Sequence, residues 1–206
     1  MTIVRTIRPA LVVFLFLSVV TGILYPLAMT GVAGYVLPRQ AGGSLVMKGD
    51  RLVGSTLIGQ NFADARYFHG RPSATVGPDP ADPSKTVAQP YNAAASMASN
   101  AGPTSRALVE RVAAAVSRLK ADNPEAVLAG LPVPMDLVTS SGSGLDPDIS
   151  PQGALFQVAR VARARHLREE TVRALVDRMV ERPLMGWLGE PRVNVLELNL
   201  ALDTLH

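Results

Sequence analysis

The sequence contains no cysteine. Disulfides, thiolate nucleophiles and cysteine-based metal sites are therefore excluded, while the redox compartment stays undetermined. Histidine is scarce as well. His69, His166 and His206 are the only three, scattered and without neighbouring ligand residues, so no metal centre is expected. There is no Walker A pattern, no DKTGT-type phosphorylation motif, and no Ser–His–Asp constellation that local context supports. Only one run is apolar enough to cross a bilayer, which leaves no room for an ion path within this chain. The net charge of +3 over 206 residues specifies neither nucleic acid nor anionic lipid as a partner.

What is present begins at the N-terminus. No charged residue occurs between Arg8 and Arg39, and Leu11 to Leu24 is dominated by Leu, Val, Phe and Ile. That length suffices for a spanning helix of about 20 residues. Arg5 and Arg8 flank one side and no cation flanks the other until Arg39, so the positive-inside rule places the N-terminus in the cytoplasm. Tyr25 and Tyr35 suit the outer interface. We read residues 1–8 as a short cytoplasmic tail, 9–30 as a transmembrane helix and 31–206 as one extracytoplasmic domain. A cleaved signal peptide, with Gly31-Val32-Ala33 as the small-residue site, is the competing reading. Both readings export the remainder.

After Pro38 the character changes. Ser44 to Ile58, with Lys48-Gly49-Asp50 at its centre, predicts a β-hairpin. Tyr67, Phe68, His69 and Arg71 fall in one short stretch; they form either an interface rim or an aromatic anchor for a loop. Val76 to Pro90, rich in Pro, Asp, Ser and Gly, reads as a long loop. A helix capped by Thr104 or Ser105 should run to about Lys120, with Leu108, Val112, Ala115, Val116 and Leu119 as its apolar stripe. Asn123-Pro124 ends it, and Leu131 to Met135 reads as extended chain.

The organising stretch is Asp136 to Leu167. Thr139-Ser140-Ser141-Gly142-Ser143-Gly144 combines hydroxyls that bond local backbone with two glycines free to take positive φ. Ser150-Pro151 then reads as a helix N-cap with proline at the first turn. In that helix Leu155, Val158, Val161 and Ala162 share one side, with Gln157, Arg160 and Arg163 placed elsewhere. A loop feeding a helix N-terminus is either a possible anion site or an ordinary Gly/Ser turn. A second helix should start near Arg168, with Val172, Leu175, Val176 and Met179 as its stripe and Pro183 as its stop. The arginines of these two helices raise a helix-turn-helix reading, but interleaved acids and an exported location argue against nucleic acid. Asn194 followed by Glu197 makes a capping-box-like start for a C-terminal helix.

VTSSGSGLDPDISPQGALFQVARVARAR, together with GSTLIGQNF, YFHGRPSA and GEPRVNVLELNLALD, resembles in order the blocks of the KdpC family, over nearly the whole chain. Where that family carries a glycine pair, this chain has Met97-Ala98. The resemblance implies the C subunit of the bacterial Kdp potassium-transporting P-type ATPase, single-pass in the inner membrane. It implies two partners, a potassium-binding channel-like subunit and a P-type ATPase subunit, beside the lipid bilayer. It also implies a non-catalytic role: supporting assembly and raising the pump subunit's ATP affinity as a catalytic chaperone. Potassium would be the transported ion of the complex. Ser141, Gly142, Ser143, Gly144, Asp146, Gln157 and Arg160 would make up a loop related to nucleotide or partner. Because ATP is cytoplasmic and the domain is expected outside, ATP would act through the partner ATPase subunit. The expected architecture is α+β: one N-terminal transmembrane helix, then a mixed domain of a hairpin or small sheet and several helices. An exported, membrane-anchored binding domain without an ATPase partner is the alternative.

Overall fold

The computed structural model describes residues 2–205 and, from residue 5 onward, their side chains. Met1 and His206 lie outside the described residues. From Thr2 to Val36 the backbone is one helical rod: α1 (Thr2–Val19), a π-helical stretch (Val20–Leu24) and α2 (Tyr25–Val36). The wide turn has a local cause. Pro26 has no N–H to donate, and its ring would strike the carbonyl four residues back in a regular helix. The Tyr25 N–H instead reaches Val20 O, five residues back. From Arg5 to Val36 the rod is 32 residues long and unburied, and its Leu, Val and Phe side chains point outward. A helix apolar all round and unpartnered suits lipid, and at 1.5 Å per residue it reaches about 48 Å, beyond the roughly 30 Å hydrocarbon core.

The chain divides into two compact units, one ending at Val53 and the other beginning at Gly54. Besides the rod, the first contains α3 (Pro38–Ala41) and the hairpin of β1 (Leu45–Lys48) with β2 (Arg51–Ser55), the latter running across the boundary. Gly49, with φ of 61°, supplies the left-handed turn. The expected second strand, to Ile58, is shorter: Ser55 Oγ accepts the Leu57 N–H and the chain folds back on itself.

The second unit is built on three helices: α6 (Pro151–Arg165), α7 (Glu169–Met179) and α8 (Val195–Leu202). Val158, Val161 and Ala162 of α6 meet Val172, Leu175 and Val176 of α7 and Leu198 and Leu202 of α8, all buried. The α6 and α7 stripes fall where the 3.6-residue period puts them. His166, left-handed at φ 56°, ends α6, and its N–H and that of Leu167 return to helix carbonyls. Pro183 does not stop α7, which ends four residues earlier at Met179. The C-terminal helix forms as expected, with Asn194 Oδ1 accepting the Glu197 N–H at 3.1 Å. Before it, β6 (Val193–Asn194) pairs antiparallel with β5 (Asp148–Ile149), closing the core above the helices.

Two further segments differ from expectation. Val76 to Pro90 is a hairpin, not a structureless loop: β3 (Val76–Pro78) pairs with β4 (Thr86–Ala88), and Thr75 Oγ1 donates to Gln89 O beside it at 2.6 Å. Pro124 ends α4 (Arg106–Asp122) but also begins α5 (Pro124–Leu128), as proline at a first helical turn can. The expected α4 stripe faces the domain, yet every member is only half-buried. Among the described residues the architecture is thus mixed, helices with three small antiparallel ladders, following one N-terminal candidate span in the sequence.

Candidate functional site

The loop from Asp136 to Ser150 is braced from within. Ser141 Oγ accepts the Gly144 N–H at 2.9 Å, and Ser143 Oγ accepts the Leu145 N–H at 3.1 Å. Outward carbonyls are taken as well. Ser143 O accepts from the Met97 N–H and Ser96 Oγ, Gly144 O from Ser73 Oγ at 2.7 Å, and Leu145 O from the Gly59 N–H. Gly144 sits at φ +68°, where an added Cβ would lie 2.7 Å from Thr75 Cγ2 and 2.8 Å from Met97 O. Gly142 does not share that need. Its φ is not positive, and open space surrounds it.

The α6 N-terminus already holds an anion. Ser150 caps it through the Gly153 N–H at 2.9 Å, and the Asp136 carboxylate accepts from the Ser150 N–H at 2.6 Å and Ser150 Oγ at 3.1 Å. A Cβ on Gly153 would meet Asp136 Oδ2 at 2.9 Å, so glycine is what lets the carboxylate come close. The positive end of the helix dipole is satisfied by the protein's own side chain.

Gln157 and Arg160, placed away from the apolar side by the sequence reading, are both buried. Each takes a backbone partner from residues 65–69. Gln157 Oε1 accepts the His69 N–H at 2.8 Å and its Nε2 donates to His69 O at 3.1 Å. Asn199 of α8 grips Phe68 in the same way, accepting from its N–H and donating to its carbonyl, both at 2.9 Å. Arg160 donates to Ala65 O, Gln157 Oε1 and Asn123 Oδ1. With no carboxylate in contact, burial pushes the Arg160 guanidinium down to about 10, and the charges of Asp122 and Asp64 only partly restore it.

Of the four expected rim residues, Phe68 has no exposed surface and belongs to the core. Tyr67 is half-buried, with Arg165 over its ring at 4.8 Å and Phe62 beside it at 5.5 Å between centroids. Burial, then the nearby Arg160 charge, hold the His69 pKa below the usual histidine range. Arg71 pairs with Asp146 at 2.9 Å, so the central loop and the 67–71 stretch meet at this bond. Tyr91 donates to Arg71 O at 2.7 Å, and burial raises its phenol to about 12. The sequence reading gave Tyr91 no role; only the fold brings it across Gly59 and Gly70, whose missing side chains make room for its ring.

Next to this junction is a cavity of about 560 Å³, walled by Phe62, Arg71, Tyr91 and Gln157 on one side and by Arg111, Arg118 and Leu119 of α4 on the other. Among the described residues no group of three or more His, Asp or Glu is gathered to hold a metal. The arginines of α6 are engaged inside the domain: Arg163 pairs with Glu125 and Arg165 with Asp203.

Fold and site together define a small α+β domain behind one apolar helix, its glycine–serine loop serving as a brace between segments. The chain belongs to the KdpC family: the family model described as "K+-transporting ATPase, c chain" matches residues 7–204. It is 62% identical over 199 residues to the potassium-transporting ATPase KdpC subunit of Rhodopseudomonas palustris strain TIE-1, covering 97% of this chain and 96% of that one. It is 60% identical to the subunit of that name from Bradyrhizobium diazoefficiens and 61% to that from Methylobacterium nodulans, with the same coverage.

Proposed function

We propose that this chain is the non-catalytic C subunit of an ATP-driven potassium uptake complex, single-pass in the bacterial inner membrane with its N-terminus in the cytoplasm. In this reading residues 1–8 form the cytoplasmic tail, 9–30 cross the bilayer and 31–206 lie outside. Its partners are the channel-like potassium-binding subunit and the P-type ATPase subunit. The observation that carries the reading is full-length kinship: relatives named as potassium-transporting ATPase subunits match 97% of the chain, span and domain alike. That kinship weighs against an exported binding domain without an ATPase partner.

The role is to support assembly and to raise the pump subunit's ATP affinity, as a catalytic chaperone. ATP acts on this chain through the pump subunit. Support comes from the loop at 141–144, whose Gly144 and Leu145 N–H groups are held by serine hydroxyls, and from the Asp136 carboxylate at the α6 N-terminus. A phosphate would need such donors free. The effect on ATP then requires the subunit to bind the pump's ATP-ready state better than its other states.

Purification in mild detergent tests the reading. The chain should emerge with its N-terminus intact and with two larger subunits, and a complex stripped of it should need more ATP for half-maximal hydrolysis. A chain that purifies alone, or hydrolysis with unchanged ATP dependence after its removal, sinks the proposal.

A further inference from the structure

Between α7 and β6 the chain makes an excursion that no part of the proposed role accounts for. Glu181 and Arg192 close its base, exchanging both backbone bonds at 2.8 and 3.1 Å. The Arg192 guanidinium adds bonds to the Glu181 carboxylate at 3.0 and 2.9 Å and lies 3.2 Å from Asp148, tying the stalk to the β5–β6 ladder. At the tip, Leu184, Met185, Trp187 and Leu188 are 67%, 79%, 73% and 54% exposed. No charged residue stands between Arg182 and Glu190. Four large apolar side chains in five positions, held out on a tied stalk, mark an interaction surface rather than scattered exposure.

The tip backbone indicates what covers it. Gly186 N–H donates to Pro183 O, and both Trp187 N–H and Leu188 N–H donate to Leu184 O. Proline at 183 has no N–H to strand. Met185, Gly186 and Gly189 take positive φ, at 56°, 82° and 108°, to make this closure. A segment that enters an apolar medium gains by satisfying its own backbone, and this one does so for the N–H groups of Gly186, Trp187 and Leu188. Tryptophan beside leucine and methionine is the composition of a membrane–water interface, and the charged residues at 182 and 190 set a polar limit on each side.

We infer that residues 183–189 form a second membrane contact, an apolar tip that dips into the bilayer surface on the domain's side of the span. The inference rests on the reading that residues 9–30 cross the bilayer, since the anchor keeps that surface within the domain's reach. The tip would add a second contact with the bilayer beside the anchor.

Trp187 is the chain's only tryptophan, so its fluorescence reports the tip alone. The full-length chain is reconstituted into phosphatidylcholine vesicles, with and without lipids brominated on their acyl chains. Brominated lipid should quench Trp187, and aqueous iodide should reach it poorly. In a Leu184→Asp/Leu188→Asp variant the lipid quenching should be lost and iodide access restored. Both leucines are exposed, so the variant's thermal melting should match the parent's. Fluorescence indifferent to brominated lipid and open to iodide overturns the inference, including the case where only added pump subunits shield it, which would make the tip a protein contact. Carbonate extraction of the same vesicles separates the two readings. A chain that stays membrane-integral but shows an unquenched Trp187 refutes the tip alone, whereas a chain released by carbonate refutes the anchor and the tip together.

Discussion

Gly142 and Gly144 are two residues apart in one Ser-Gly-Ser-Gly run, yet only Gly144 should suffer from substitution by alanine. At Gly144 an alanine meets two penalties. Left-handed backbone costs an L-residue about 1–2 kcal/mol. The new Cβ would also lie 2.7 Å from Thr75 Cγ2 and 2.8 Å from Met97 O. Met97 cannot easily retreat, because its own N–H is bonded to Ser143 O at 2.9 Å. Overpacking of this kind adds about 1–3 kcal/mol, so Gly144→Ala should cost roughly 2–5 kcal/mol. For a chain of this size that lowers the melting temperature by roughly 4–20 °C. Gly142 has a permitted φ and open space, so Gly142→Ala should stay within about 0.5 kcal/mol of the parent. Ser141→Ala should fall between, at about 1–3 kcal/mol, because it strands the buried Gly144 N–H. None of these changes should move the ATP concentration for half-maximal hydrolysis by the assembled complex. The assays are thermal melting of the full-length chain in detergent and ATPase activity of the complex against ATP. Equal melting of the two glycine variants would refute the packing argument. A Ser143→Ala complex that melts normally yet needs several-fold more ATP would instead make the loop a nucleotide site.

Four other outcomes follow from the same structure. Leu17→Arg, in the middle of the rod, should cost about 2.5–3.5 kcal/mol of insertion and reduce recovery with the complex; undiminished recovery would mean that the domain alone carries the association. A reporter active only outside the cytoplasm should work when fused after Leu205, and cytoplasmic activity there would reverse the topology. Asn199→Ala leaves the Phe68 N–H and carbonyl unpaired in the core, a loss of about 2–4 kcal/mol that melting should register. His69 has a folded pKa below its ordinary value, so the unfolded chain binds the proton better. Its contribution is present above the unfolded pKa and lost as pH falls through the folded one, so stability should drop on acidification below about pH 6.5, and less so in His69→Gln.

The elements legible in the sequence are those whose signals are local. Ser150-Pro151 and Asn194 with Glu197 announce α6 and α8 because a cap is a bond within four residues. The α7 stripe is legible because Val172, Leu175 and Val176 follow the helical period into the core. The β3–β4 hairpin was not: Val76-Gly77-Pro78 has no alternation, and its position depends on Thr75 bonding Gln89 O and Asn92 bonding Val76 O. The helical period puts Gln157 and Arg160 away from the apolar side, where glutamine and arginine usually face water. What buries them is backbone from about ninety positions away, which no periodicity within α6 can report. Phe68, read as part of either a rim or a loop anchor, is the anchor, with no exposed surface. Its neighbours Tyr67, His69 and Arg71 are partly exposed, and the stretch carries no period that separates inside from outside.

The buried polar residues explain how the second unit keeps a long irregular segment in place. Between Thr56 and Thr75 the chain contains no named strand or helix, so its backbone groups need partners that a ladder would otherwise supply. Gln157 and Asn199 act as two single-residue rungs for His69 and Phe68, and Arg160 reaches Ala65 O beyond them. A neutral side chain could fill the space of Arg160, but it could not donate to three oxygens from three segments at once. The cost is a guanidinium buried without a contacting carboxylate, and burial holds its pKa down to about 10. Arg160→Met should therefore do more than remove a charge. It would release Asn123 at the end of α4 and the Ala65 carbonyl together, loosening chain beside both walls of the 560 Å³ cavity. Arg160→Lys keeps the charge but offers no fork, so it should recover only part of the loss. If Arg160→Lys melted like the parent, charge rather than the three-way bond would be what holds the segment.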